Sequence, residues 1–153
     1  MKQSIIILTL TLPAMAQLSP QPVPPPATQA ERNLCAAVLI AEAGGEGRAG
    51  MSAVWEVVHQ RVKDRRWPNT HAKVVKQRWQ FSCLNGITDG RLVARAQRHP
   101  MWRHAWGITG APPVTQQVHQ SNHYHNNRIR KPYWAKGEEP VAIIGNHLFY
   151  RLP

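Results

Sequence analysis

Glu42 closes an apolar run, Leu34 to Ala43, and is followed at once by Gly44 and Gly45. A helix apolar on every side is normally buried. A carboxyl in its last turn then sits at the edge of a core, where desolvation disfavours the charged form, raises the pKa and suits the group to donate a proton. On residue type alone the more ordinary reading is a solvated glutamate at a helix end. Glu46, just beyond the glycines, reads as the cap and N-terminal charge of a following helix. Glu56, Asp64 and Asp89 have no spacing that pairs them with Glu42, so a two-carboxylate glycosidase is not demanded.

A second group is His123-Tyr124-His125-Asn126, with His147 further on. His-x-His on a strand projects both rings to one face, and a third ligand from another strand would complete an open zinc site. The same alternation also suits polar side chains lining a sugar groove, and no carboxylate lies nearby in sequence to support a metal-bound imidazole. Trp79-Gln80-Phe81-Ser82, Tyr133-Trp134 and Phe149-Tyr150 mix flat rings with amides and hydroxyls. Carbohydrate sites need that mixture, because sugar C–H faces stack on rings while hydroxyls demand fixed partners. Packing into the core accounts equally well for Phe81, Phe149 and several tryptophans.

These residues must be held by local elements. Thr28 with Glu31 fits a capping box that opens a helix over about 30–43, which Gly44-Gly45 ends. A second helix is expected over 48–63, where Ala49, Ala53, Val54, Val57, Val58, Arg61 and Val62 form a stripe. A short third helix is expected over 71–77, capped by Asn69 or Thr70. Residues 78–90 read as a loop with a strand or turn, and 92–106 as helical with an interruption at Pro100. Residues 120–125 and 141–150 read as strands flanking a basic, aromatic loop. The fold class is α+β, predominantly helical.

At 153 residues the chain suggests one domain. Residues 1–16 have Lys2, a short apolar stretch and Ala14-Met15-Ala16, and read as a secretory signal peptide. That stretch is shorter than the roughly 20 residues a membrane span needs, though it could give a transient membrane association. Residues 17–30 carry five prolines and no charge and read as an extended linker, leaving 31–153 as the functional domain. Export, to the periplasm, the wall or the medium, would place Cys35 and Cys83 in an oxidising compartment, where they could pair. Nineteen Lys and Arg stand against eight Asp and Glu, a formal charge of +11. Such a field favours polyanions, and an exported protein meets bacterial wall polymers rather than a specific nucleic acid.

Four ordered blocks, LIAEAGGE, AVWEVVHQRV, WPNTHAKVVKQRWQFSC and SNHYHN…PYWA…IGNHLFYR, resemble the SleB-type cell wall hydrolases, the family of spore-cortex-lytic enzymes. The resemblance spans about Leu34 to Arg151. It implies a lysozyme-like domain related to lytic transglycosylases, with peptidoglycan glycan strands as substrate. A small C-terminal antiparallel β element, a monomer and no metal or other cofactor are expected alongside it. It implies cleavage of the MurNAc–GlcNAc bond as a lytic transglycosylase, with Glu42 as the acid and base. Gln80, Ser82, Tyr124, His125 and Trp134 are the candidates for holding the sugars. The chain departs from the family pattern at Ile40, Gly44 and Gln60, where an aromatic residue, an arginine and an asparagine are usual. Two other readings remain: a zinc-dependent amidase or peptidase using His123, His125 and His147, and a non-catalytic basic wall-binding module.

Overall fold

The computed structural model describes residues 27–153. The expected signal peptide, 1–16, and most of the linker lie outside the described residues. The linker gives way earlier than expected, because α1 spans Gln29–Ala43 and takes up the last two residues assigned to it. The capping box is made: Thr28 Oγ1 accepts from the Glu31 N–H at 3.2 Å, and Glu31 Oε2 accepts from the Thr28 N–H at 2.8 Å.

Helix α1 is the axis of the helical half. Leu34 to Leu39 and Ala43 are all buried, and the helix packs against α2 (Gly47–Lys63), α3 (His71–Val75), α4 (Asp89–Ala96) and α5 (Trp102–Ile108). Its alanines have little side chain to hold neighbours away, so four helices can close around it. A 3₁₀ turn over Gly44–Glu46 joins α1 to α2. Gly47, at φ +68°, makes a backbone conformation that side chains resist.

Helix α2 is buried on two sides. Met51, Val54, Trp55 and Val58 join α1 in the main core. Ala53 and Val57 meet Val118 and Phe149 in a second, smaller core. Helix α3 is capped by Thr70 and ends two residues sooner than its pattern suggested. Residues 78–90 contain no strand, only a 3₁₀ turn at Ser82–Leu84 and the start of α4. Pro100 lies between α4 and α5, where a proline-broken pattern belongs.

The C-terminal part is a three-stranded antiparallel sheet in the order β1-β3-β2. Strand β1 is His123–Asn126, β2 is Ala142–Ile144 and β3 is His147–Tyr150. Two expectations are corrected here. Residues 120–122 precede β1, because His119 and Gln120 adopt left-handed φ values of 46° and 62° and turn the chain. Residues 141–150 form a hairpin rather than one strand: Ile144 pairs with His147 around a Gly145-Asn146 turn, with Gly145 at φ +57°. Among the described residues, no helix is long and apolar enough to cross a membrane.

Candidate active site

The last turn of α1 brings Glu42 to the wall of a cleft of about 560 Å³. The loop before the Ser82 turn supplies Trp79, Gln80 and Ser82, α2 supplies Arg61, and β1 with the following loop supplies His123 to Asn126 and Tyr133-Trp134. Gln80, Ser82, Tyr124, His125 and Trp134 therefore lie around the same cleft as Glu42, although they come from separate elements. Among the described residues that line it, Glu42 is the only carboxylate.

Burial pushes the Glu42 carboxyl above its ordinary value. Hydrogen bonds offset part of that shift: first the Tyr124 hydroxyl, which donates to Oε2 at 3.1 Å, then the Cys83 thiol and the Cys83 backbone N–H. Tyr124 is itself raised well above the ordinary phenol range, by burial and then by the Glu42 carboxylate. Both effects favour the protonated phenol that donates to Glu42. The arrangement holds one carboxyl with its proton retained to higher pH, aimed into a groove large enough for sugar rings.

Arg61 is a site residue that the sequence reading missed. It is 4 % exposed, its Nε donates to the Asn122 carbonyl at 2.8 Å, and it lines the cleft with Tyr124 and His123. Burial lowers its pKa from the ordinary guanidinium value, while the Tyr124 phenol acts against that shift. The available signal was its place in the apolar stripe of α2, between Val58 and Val62, since arginine is rarely buried without a specific partner. Trp79, which the sequence places in the aromatic and amide stretch suited to sugars, also lines the cleft. It is 70 % exposed at the cleft rim, with φ +67°, a conformation that costs a non-glycine residue of order 1–3 kcal/mol and clusters at ligand sites.

The histidines share a face as the spacing required, but Trp134 covers it. The His123 and His125 rings lie 5.1 and 5.8 Å from the Trp134 ring. His125 has both nitrogens occupied, Nδ1 with the Asn126 carbonyl and Nε2 with the Tyr150 hydroxyl. It lines the groove while serving the sheet. His123 Nδ1 bonds the Asn122 side chain at 2.8 Å, and His147, also in the cleft wall, has Nδ1 3.7 Å from Glu46 Oε1. Among the described residues, no three His, Cys, Asp or Glu side chains converge as a metal site would need.

Glu46 and Glu56 have structural partners. Glu46 occupies the N-cap position of α2, but its side chain caps nothing, which corrects the expectation for it. The carboxylate turns to the hairpin, where it accepts from Asn146 Nδ2 at 3.4 Å, in a slot kept open by Gly50 and Gly145. A Cβ on either glycine would stand about 2.4–2.5 Å from Glu46 carbon atoms. Glu56 accepts from the Thr115 hydroxyl and from the Gln117 and Val118 N–H groups, tying 115–118 to α2. Cys35 and Cys83 are free thiols, so the pairing that export would permit is not formed here. Burial pushes both thiols up to about 12.

The family model described as Cell Wall Hydrolase matches residues 45–150. The chain belongs to this family. The matched span begins just after Glu42, so the family assignment rests on the helices and sheet that surround the cleft rather than on the acid itself. Two solved structures share the fold of this cell wall hydrolase. One is the catalytic domain of the germination-specific lytic transglycosylase SleB from Bacillus anthracis, at 23 % identity and TM-score 0.61, covering 84 % of this chain and 100 % of that one. The other is the catalytic domain of the Bacillus cereus SleB protein, at 24 % identity and TM-score 0.60, covering 84 % and 95 %. No curated protein matches the chain. The predominantly helical α+β architecture expected from the sequence is thus a fold these two domains share.

Proposed function

We propose that this cell wall hydrolase cleaves the MurNAc–GlcNAc bond of peptidoglycan as a lytic transglycosylase, with Glu42 as both acid and base. The observation that carries this reading is a lone carboxyl in the cleft, its pKa raised by desolvation, with no second acid among the described residues that line it. A hydrolase that activates water on the opposite face of the sugar needs a second carboxylate several ångströms away. An intramolecular nucleophile removes that need. Protonated Glu42 gives its proton to the glycosidic oxygen as the bond to muramyl C1 breaks. The resulting carboxylate takes the proton of the muramyl C6 hydroxyl as that oxygen closes on C1, giving a 1,6-anhydro end and returning Glu42 to its starting state.

Tyr124 and Cys83 hold the carboxyl in place by the bonds described above, and both stay protonated through the cycle. Gln80 and Ser82 are exposed on the rim and free to bond sugar hydroxyls. Trp79 and Tyr133, 70 % and 85 % exposed, offer ring faces along the groove. Residues 1–16 would export the domain to the compartment where this substrate lies.

Glu42→Gln should lower turnover on purified peptidoglycan by about a thousandfold, within the range general acid catalysis supplies, with its circular dichroism spectrum unchanged. Mass spectrometry of the products should find 1,6-anhydro-muramic ends. Reducing muramic ends would refute the mechanism, and activity retained by Glu42→Gln would remove Glu42 from it.

A further inference from the structure

A second cavity, of about 530 Å³, lies on the other side of the end of α1. It shares two wall residues with the surroundings of the proton donor: Ala41, next to Glu42 and also in the wall of the catalytic cleft, and Cys83, whose thiol and N–H touch Glu42. The two cavities therefore flank the proton donor and meet beside it. The floor of the second is apolar, formed by Ile40, Leu92 and Ala96, while Arg95, Arg98 and His99 stand around it.

The charges there are uncompensated. Among the described residues neither arginine has a carboxylate at ion-pair distance. His99 Nδ1 accepts from the Met101 N–H at 3.2 Å, which leaves the proton of the neutral ring on Nε2. That atom is 3.7 Å from the point where a Cβ on Gly44 would stand. The His99 ring therefore lies against the end of α1, two residues from Glu42, as a third donor.

Resting on the reading of the catalytic cleft above, we propose that this second cavity binds the stem peptide of peptidoglycan, with Arg95, Arg98 and His99 taking its carboxylates. The peptide leaves the glycan through the lactyl ether of the muramic acid being cleaved, so it emerges within reach of a pocket that adjoins Glu42. Its free carboxylates and alanine methyl groups match a cationic rim over an apolar floor, and guanidinium groups suit carboxylates better than any other cation because their bonds can be paired.

The experiment compares peptide-bearing glycan strands with strands stripped of peptide by an amidase, using the intact protein and Arg95→Gln/Arg98→Gln. The expected result is that the ratio of kcat/KM on peptide-bearing strands to that on stripped strands falls about tenfold in the double variant, equivalent to about 1.4 kcal/mol. Arg95→Lys/Arg98→Lys should restore part of the ratio. An unchanged ratio, or equal losses on both substrates, overturns the proposal. A binding arm separates it from the catalytic reading: peptide-bearing muropeptide is titrated into Glu42→Gln with and without the two arginines. If the unsubstituted protein cleaves neither substrate, the catalytic reading falls, and an arginine-dependent loss of muropeptide affinity still decides the peptide site. Equal affinity with and without the arginines ends the proposal whatever the catalytic result.

Discussion

The helical half and the C-terminal half are built by different physics, and Glu42 stands where they meet. Around α1 the contacts are apolar and close: Ala36, Ala37 and Val38 have no measurable exposure, and the core runs through α2 to α5. The C-terminal half has an apolar centre of only a few residues. Polar ties hold it to the rest: Glu56 to the 115–118 loop, Arg61 to Asn122, and Glu46 to the hairpin. The helical half supplies the desolvation that raises Glu42, and the C-terminal half supplies the Tyr124 hydroxyl that holds it. Neither half makes a proton donor alone.

The largest expected effect breaks the helical side. Leu39 is 1 % exposed in the middle of α1, so Leu39→Ala should cost about 2–5 kcal/mol by lost burial and a residual cavity. Denaturant unfolding measures it, and a cost below about 1 kcal/mol would mean that α1 is not the axis of the core.

A smaller and more local effect should follow at Glu56, whose carboxylate accepts the Gln117 and Val118 N–H groups. Glu56→Ala strands those donors at a cost of about 1–3 kcal/mol. Hydrogen exchange should show protection lost over 115–121 and in the sheet, while α1 amides keep theirs. Equal loss in α1 would show that the two halves unfold as one and that the polar ties are not a separate latch.

The same contrast explains what was legible in the sequence. Local signals were readable where they act over one turn: the Thr28–Glu31 box, the Gly44-Gly45 stop, the α2 stripe and the proline break at Pro100. The placement of Glu42 at the edge of a core followed from an apolar run and two glycines. What was not legible depends on partners far along the chain. Glu46 reads locally as a cap, yet its carboxylate is claimed by Asn146, 100 residues away. Tyr124 reaches Glu42 across 82 residues. The Gly145-Asn146 turn was a readable two-residue hairpin signal, hidden because the apolar run from Val141 to Tyr150 looks continuous across it. Arg61 showed only as a member of the α2 stripe, without its place at the cleft. The Arg95–His99 rim was invisible for a different reason, because a cation reads as solvent-facing until the fold shows which cavity lies beside it.

The smallest expected effect sharpens the comparison, because it isolates what the helical half does to Glu42. Burial raises the carboxyl in the folded protein above its unfolded value. The folded state therefore binds the proton more tightly, and the stability linked to Glu42 is fully present at low pH. It declines as pH rises from the ordinary carboxylate value through the raised one. The amide introduced by Glu42→Gln cannot ionise, so that variant does not share the decline. It should match the parent protein in stability near pH 4 and exceed it near pH 7, with the gap opening across that interval. His71 and His123, each depressed by burial to about 4, destabilise both proteins alike as pH falls below 6.5, so they cancel in the difference. The measurement is the melting temperature of the two proteins at matched pH values. A gap that opens toward low pH would mean that hydrogen bonding from Tyr124 and Cys83 outweighs burial, and that Glu42 is held as a base rather than as an acid.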